Sequence, residues 1–114
     1  MSAQLIPENT PGLWDTVIYK GATWPSSTVE MLRDGVAVIP VSATLTITDP
    51  AGTVQVTLAA SISGGGIMTF GPISAATTAA YTWSYGNLLV RVVESGNVKT
   101  DLLAGNATCV DRSD

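Results

Sequence analysis

Histidine is absent from this 114-residue sequence, and cysteine occurs once, at Cys109. Because histidine is the commonest general base and a frequent zinc ligand, its absence argues against serine hydrolases and most zinc enzymes. A single cysteine forms no disulfide within the chain, and its strand-like surroundings favour a small buried hydrophobe over a reactive thiol. The sequence therefore predicts a protein that is not an enzyme and has no catalytic, cofactor-binding or metal-binding residues.

Charged residues are also scarce, at 12% of the sequence, whereas 46% of the residues are apolar. A globular domain usually carries about twice that share of charge. Since the buried cores of protein interfaces are depleted in charge, we expect other proteins to cover part of this surface.

The few charges that are present are dispersed. The five Lys and Arg residues form no cluster and the net charge is −4, whereas a nucleic-acid-binding surface needs several cations side by side to contact phosphates. The nine acidic residues match no calcium-binding loop. We therefore expect no nucleic-acid partner.

Long hydrophobic runs are missing as well. Every apolar run is far shorter than the roughly 18 residues that a membrane-spanning helix needs, so no membrane association is expected. The N-terminal stretch MSAQLIPENTPG has no basic region and no apolar segment of signal-peptide length. Together with the cysteine usage, this predicts a protein made in a reducing cytoplasm.

Alternation of apolar and polar residues is the main structural signal that is present. In ATLTIT, residues 43–48, apolar residues alternate with threonines, which is the period of a half-buried antiparallel strand. The turn sequence DPAG follows, and alternation resumes in VQVTL, residues 54–58. These segments predict a β-hairpin.

The segment from Gly86 to Gly105 predicts a second, longer hairpin near the end of the chain. Its first strand has apolar residues on both faces: Leu88, Val90 and Val92 on one, and Leu89, Arg91 and Val93 on the other. Apolar residues on both faces indicate a central strand or an interface.

About seven short strands at spacings near ten residues, separated by turn dipeptides such as Asp34-Gly35, are typical of a β-sandwich. We therefore predict an all-β protein with a single immunoglobulin-like antiparallel β-sandwich. The alanines and small polar residues between Ser74 and Tyr81 predict one short helical turn.

Residues 1–12 contain two prolines and no periodic pattern, so we predict an extended N-terminal arm before a sandwich domain at residues 13–114. Restricted φ angles lower the entropy cost of ordering such an arm on a neighbouring molecule. The arm and the outer face of the closing hairpin supply the candidate protein-interface residues: Leu5, Ile6, Pro7, Pro11, Leu89, Arg91 and Val93.

The three tryptophans, Trp14, Trp24 and Trp83, are widely spaced. We expect one to fill the core and the others to close the ends of the sandwich, in preference to a sugar-stacking role.

Four segments resemble a family of small immunoglobulin-like domains in tailed-bacteriophage virions, which includes the N-terminal domain of baseplate upper proteins and related tail-associated proteins. The segments are Ile18–Thr23, Leu45–Val54, Ile73–Thr78 ahead of Tyr81, and Leu89–Gly105, and the resemblance spans roughly residues 13 to 112. Ala22 departs from the pattern, since the family has an acidic residue after the glycine.

The resemblance implies a non-enzymatic structural protein of a phage virion, assembled in the cytoplasm of the bacterial host. Its expected role is an adaptor or minor component of the tail, neck or baseplate, where it docks fibres or other virion proteins in multiple copies. Two alternatives remain open at this point: a capsid cement or decoration protein that bridges capsomers, and a carbohydrate-binding module that uses a tryptophan platform.

Overall fold

The computed structural model describes residues 2–5, 12–33 and 35–111, with only the strand pairing given for residues 2–5. The described chain is almost entirely β structure, with eleven strands in two sheets and one short helix. The smaller sheet contains β1 (Ser2–Leu5), β4 (Ser27–Arg33), β5 (Val36–Val38), β8 (Ser61–Ile62) and β9 (Ile67–Phe70). The larger sheet contains β2 (Gly12–Leu13), β3 (Thr16–Lys20), β6 (Ser42–Thr48), β7 (Val54–Ala59), β10 (Tyr85–Glu94) and β11 (Val98–Asp111).

The larger sheet is built around the closing hairpin. Strand β10 lies between β11 and β6, and β7 pairs with the far side of β6, so the order is β2, β11, β10, β6, β7. Both β2 and β3 run parallel to β11, whereas the other pairs of this sheet are antiparallel. β10 is thus a central strand, which is one of the two alternatives that its sequence indicated.

The smaller sheet is centred on β4. Strand β9 pairs with the first half of β4 and β5 with its second half, both antiparallel, while β1 runs parallel to β4. Short β8 extends the sheet beyond β9. The register places Val29 opposite Met68 and Ser27 opposite Phe70.

One hydrophobic core lies between the two sheets. Its members are inward-facing side chains of both sheets, and among the most completely buried are Val29, Met31, Leu45, Ile47, Met68, Phe70, Leu88, Val90 and Val92. Full burial of one such side chain contributes about 1.5–3 kcal/mol to folding. The predicted inward faces of β6 and β10 are confirmed, as is the all-β sandwich itself.

The number and direction of strands add detail that the alternation pattern does not carry. Strands β2 and β8 have two residues each, too few to show a period of two. The parallel pairs join segments that are distant in sequence, such as β3 with β11. Turn sequences predict only the pairing of strands that they connect directly, so they do not predict these pairs.

Helix α1 (Ala75–Ala79) confirms the predicted helical turn. It begins at Ser74, whose side chain accepts a hydrogen bond from the backbone N–H of Thr77 at 3.2 Å, as a helix N-cap does. Thr78 is fully buried; its hydroxyl donates to the carbonyl oxygen of Ala22 at 2.8 Å and accepts from the N–H of Gly21 at 3.1 Å. The helix is thereby attached to the turn that follows β3.

Close contacts fix β2 and β3 against β11. A Cβ atom at Gly105 would collide with the carbonyl oxygen of Trp14, so the segment between β2 and β3 runs beside β11 at a distance that only glycine permits. Asp15 accepts a hydrogen bond from the N–H of Asn106 at 2.8 Å, and the indole of Trp24 donates to the hydroxyl of Thr16 at 3.0 Å.

An ion pair joins the two sheets at one end of the sandwich. Arg33 of β4 makes two bonds to the carboxylate of Glu94 of β10, at 2.7 and 3.0 Å. Thr100 donates a further hydrogen bond to this carboxylate at 2.8 Å. The bond from Arg33 is the main cause that lowers the pKa of Glu94.

The predicted boundary between arm and sandwich is only partly covered by the described residues. Residues 2–5 form β1 and pair with β4, whereas Met1 and residues 6–11 lie outside the described residues, as does Asp34 of the predicted Asp34-Gly35 turn. The division at residue 12 therefore stays a prediction.

The described residues include one helix, and no helix among them is long and apolar enough to cross a membrane.

Candidate functional site

An open groove runs along one side of the sandwich, next to edge strand β7. It has a volume of about 460 Å³ and lies between β7 and the segment that leads from β9 through α1 to Tyr81. Nine residues line it: Gln55, Val56, Thr57, Leu58, Pro72, Ile73, Ser74, Thr77 and Tyr81. We call this the side groove.

The turn before β7 holds the strand in place. The carboxylate of Asp49 accepts hydrogen bonds from the N–H groups of Ala51 and Thr53 at 3.0 and 2.9 Å and from the side-chain amide of Gln55 at 2.8 Å. These bonds, with that from Gln55 the largest cause, lower the pKa of Asp49. The carboxylate thus has its hydrogen-bond partners within the turn and the start of β7, and it is not among the groove-lining residues.

The alternation predicted for residues 54–58 is interrupted at the start of β7. The register with β6 shifts between Ile47 and Thr48, so that Thr48 lies opposite Val54 and Ile47 opposite Val56. The extra residue, Gln55, produces a β-bulge. Consequently Val54 is exposed, whereas Val56 is buried and Leu58 half-buried, facing the groove side.

The other wall of the groove is anchored to the core. Ile73 is buried and forms an isolated backbone bridge with Trp24, with both N···O distances at 2.9 Å. Tyr81 packs on Trp83 with ring centroids 5.5 Å apart. Burial raises the pKa of Tyr81, with a smaller contribution from Cys109, and a tyrosine hydroxyl can both donate and accept hydrogen bonds.

The backbone of β7 is unpaired on its outer side. In the described chain β7 is the last strand of the larger sheet and pairs only with β6. Ala60 donates its N–H to the carbonyl oxygen of Ala43 at 2.9 Å, and hydrogen-bonded residues alternate along an antiparallel pair. Leu58 therefore bonds to β6, while Thr57 and Ala59 direct their N–H and C=O groups toward open space.

The side groove carries no charge. None of its nine lining residues is Asp, Glu, Lys or Arg, in a chain whose net charge is −4. Its lining combines aliphatic and aromatic surface with a few hydroxyl and amide groups, and two of the hydroxyls, those of Ser74 and Thr77, already bond to each other at 2.9 Å. The groove is therefore suited to an uncharged occupant.

The candidate interface residues predicted from the sequence lie elsewhere. Leu89, Arg91 and Val93 are on the outer face of the larger sheet, where Arg91 is exposed and forms an ion pair with Asp101 at 2.7 Å. Leu5 ends β1, opposite Arg33. Ile6, Pro7 and Pro11 lie outside the described residues. The interface role of all seven residues stays a prediction.

The residues of the side groove were missed by the sequence reasoning. The strand VQVTLA contains no charge and no proline, which are the usual means of protecting an edge strand. That signal was readable from the sequence, but the edge position of β7 was not, because strand order depends on pairing.

We also tested the described residues for a metal site. No three His, Cys, Asp or Glu side chains come together within residues 12–33 and 35–111. Cys109 is buried and its burial raises the pKa of the thiol, which disfavours the thiolate that a metal requires. Met31 and Met68 are fully buried in the core. The donor groups of the described residues therefore do not assemble a metal site.

The tryptophans offer no platform for sugar stacking. Trp14, Trp24 and Trp83 are only 9%, 7% and 6% exposed, so their rings are covered by protein on both faces. All three belong to the hydrophobic core, whereas the sequence led us to expect only one of them there, and their burial leaves the carbohydrate-binding alternative without support.

Comparison with known proteins gives a structural likeness only. No protein-family model matches the chain, and no curated protein matches it. The fold is similar to the crystal structure of CopC from Methylosinus trichosporium OB3b, with a TM-score of 0.54 over 98% of this chain and 97% of that chain, at 16% sequence identity. At this identity the likeness concerns the fold.

This likeness overturns the resemblance to phage virion domains, because CopC is not a virion domain. The four segments that suggested the virion family describe strands and turns that many unrelated β-sandwiches share, so their order identified the fold and not the family. The predicted roles in the tail, neck, baseplate or capsid, the predicted virion partners and the predicted virion location are therefore wrong.

Proposed function

We propose that this protein is a non-catalytic module that binds an extended segment of another polypeptide along β7. The observation that carries the proposal is the unpaired backbone of Thr57 and Ala59 beside an uncharged groove. A peptide that adds to a sheet edge gains main-chain hydrogen bonds from the strand and specificity from pockets for alternate side chains. The side groove offers both.

The dimensions of β7 suit such a ligand. Its six residues span about 20 Å at roughly 3.3 Å per residue. An added strand would place every second side chain over the groove, where Val56, Leu58 and Ile73 provide apolar contacts and Tyr81 provides a hydroxyl. We therefore expect a ligand in which uncharged, preferably β-branched, residues occupy these alternate positions.

The non-catalytic part of the proposal is supported by the residue inventory. The chain has no histidine, and Cys109 is buried with a raised pKa. Each of the three carboxylates with the most partners, Asp49, Glu94 and Asp101, has a structural partner in the fold. None of them faces the side groove.

The proposal can be tested by NMR titration of the protein with a capped seven-residue peptide of alternating valine and threonine. We expect shift changes at residues 55–58 and 72–77, and slower amide exchange at Thr57 and Ala59, whose N–H groups become bonded. The variant Thr57→Pro lacks one of these donors and should lose binding at least tenfold, whereas Thr57→Val keeps the backbone N–H and should bind like the wild type.

A peptide in which the valines are replaced by lysine serves as the ligand control and should bind weakly, because its charges would be placed against an uncharged groove. Shift changes confined to the outer face of the larger sheet, or equal binding by Thr57→Pro and Thr57→Val, would contradict the proposal.

A further inference from the structure

Strand β7 has the same chemistry as the ligand that the side groove requires. Its sequence, VQVTLA, is uncharged, contains no proline and has β-branched residues at three of its six positions. Thr57 and Ala59 are exposed, and their free backbone groups have the spacing of a strand ready to pair. The edges of two copies of this chain are therefore chemically complementary.

We propose that the segment bound along β7 is β7 of a second copy of this chain, so that two larger sheets join into one continuous sheet. This inference rests on the proposed function, because it uses the same edge and groove. Two identical copies that meet through one surface are related by a two-fold axis, and the pairing of the strands is then antiparallel.

A two-fold axis centred on Thr57 provides partners for both the outward backbone groups and the apolar side chains of this edge. The N–H and C=O groups of Thr57 then bond to those of Thr57 in the second copy, since both point outward. Val56 lies opposite Leu58 of the second copy, and both face the groove side of the sheet. Each copy thus adds apolar side chains over the groove of the other, next to Ile73 and Tyr81.

Charge allows the two copies to approach at this edge. Each chain carries a net charge of −4, which opposes self-association where carboxylates face one another. The six residues of β7 and the nine lining residues of the groove are uncharged. The carboxylate of the turn before β7, Asp49, is bonded to Ala51, Thr53 and Gln55.

The opposite edge of the larger sheet lacks these properties. Strand β3 carries Lys20, and α1 lies against it. A charged residue and a covering element are two common ways of blocking edge-to-edge pairing. The contrast assigns the self-association to β7 specifically.

Sedimentation equilibrium over a concentration series tests the inference. The wild type and Thr57→Val should reach twice the monomer mass as concentration rises, and Thr57→Pro should stay monomeric, with a dissociation constant raised at least tenfold. Unfolding followed by circular dichroism on each variant shows whether the fold is retained.

A symmetric disulfide gives a second, independent measurement. Thr57→Cys should oxidise to a covalent dimer, because the paired Cα atoms would lie about 5.5 Å apart, within the range of disulfides. Ala59→Cys is equally exposed but lies two residues from the axis, so that its copies would be about 14 Å apart along the strands and should not cross-link. The buried Cys109 is common to both variants.

The outcomes separate this inference from the proposed function. A monomer at all concentrations that still binds the valine–threonine peptide in a Thr57-dependent way would overturn the second copy as occupant and retain peptide binding. A dimer that persists in Thr57→Pro, or equal cross-linking at positions 57 and 59, would place the dimer interface elsewhere and also overturn the inference. Absence of both dimer and peptide binding would overturn both proposals.

Discussion

The two edges of the larger sheet differ in the contacts that their outer strands make. At one edge, β2 and β3 are held in place by the close approach of Trp14 to Gly105, by the bonds of Asp15 and Trp24, and by α1, which Thr78 attaches to the turn after β3. At the other edge, β7 ends the sheet beside the side groove with unpaired backbone groups. We call them the covered edge and the open edge.

The covered edge is expected to stabilise the fold, whereas the open edge is expected to bind a partner. The covered edge uses side-chain hydrogen bonds to backbone groups, each of which leaves an unsatisfied partner if it is removed. The open edge has few such bonds beyond the Asp49 turn, and its exposed residues contribute little to folding. Substitutions at the covered edge should therefore change the free energy of unfolding, whereas those at Thr57 should change association.

The largest effect on stability is expected where Trp14 approaches Gly105 at the covered edge. Gly105→Ala places a methyl group against the carbonyl oxygen of Trp14, which is backbone and cannot rotate away, so we expect a loss of about 3 kcal/mol in the free energy of unfolding. Gly64→Ala is the control, because a Cβ there meets no atom within 4 Å. Urea denaturation measures the free energy of unfolding of both variants. Equal stability of the two would show that the close approach of Trp14 to Gly105 does not constrain the fold.

The next effect concerns the attachment of α1. Thr78→Val keeps the buried volume and removes the hydroxyl that bonds to Gly21 and Ala22. We expect a loss of about 2 kcal/mol, because two backbone groups lose their partner. Thr78→Ser keeps the hydroxyl and should recover much of the difference. If Thr78→Ser is less stable than Thr78→Val, packing of the methyl group, and not hydrogen bonding, holds the helix.

Two buried tryptophans allow a finer comparison of the edges. The indole N–H of Trp24 bonds to Thr16 at the covered edge, whereas that of Trp83, whose ring supports Tyr81 in the groove wall, is buried without a partner. We expect Trp24→Phe to cost about 1 kcal/mol more than Trp83→Phe. Thermal unfolding of the two variants provides the measurement, and the reverse order would show that ring volume outweighs the hydrogen bond.

The smallest effect is expected at the turn before the open edge. Because hydrogen bonds lower the pKa of Asp49 in the folded state, the ionised carboxylate stabilises the fold above the unfolded pKa, and this stabilisation is lost as the pH falls through the lowered folded value. The stability difference between the wild type and Asp49→Asn should therefore shrink on acidification, measured as the urea midpoint at several pH values. A difference that is constant with pH would contradict the assigned role of the Asp49 charge.

Much of the fold was readable from the sequence because it depends on local pattern. The inward faces of β6 and β10 follow from alternation, the helix follows from the small residues after Ser74, and the central place of β10 is one of the two alternatives that its apolar faces indicated. Burial of one face fixes such features within a few residues of sequence.

The side groove could not be predicted because it depends on distant pairing. Whether VQVTLA is a central or an edge strand depends on whether another strand pairs with the side of β7 that faces away from β6. The groove wall comes from Ile73 and Tyr81, which are placed by contacts with Trp24 and Trp83. The bulge at Gln55 also reverses the exposure of Val54, which the simple alternation placed with Val56.

The parallel pairing of β3 with β11 has a consequence for how the molecule forms. Thr16 and Ala107, partners in the finished sheet, are about 90 residues apart along the chain, and contacts of such separation slow the search for the native topology. On the ribosome, β3 is therefore synthesised well before its partner β11. During that interval the buried Ile18 of β3 lacks its neighbours in β11, so chaperone demand should be greatest before β11 has been made.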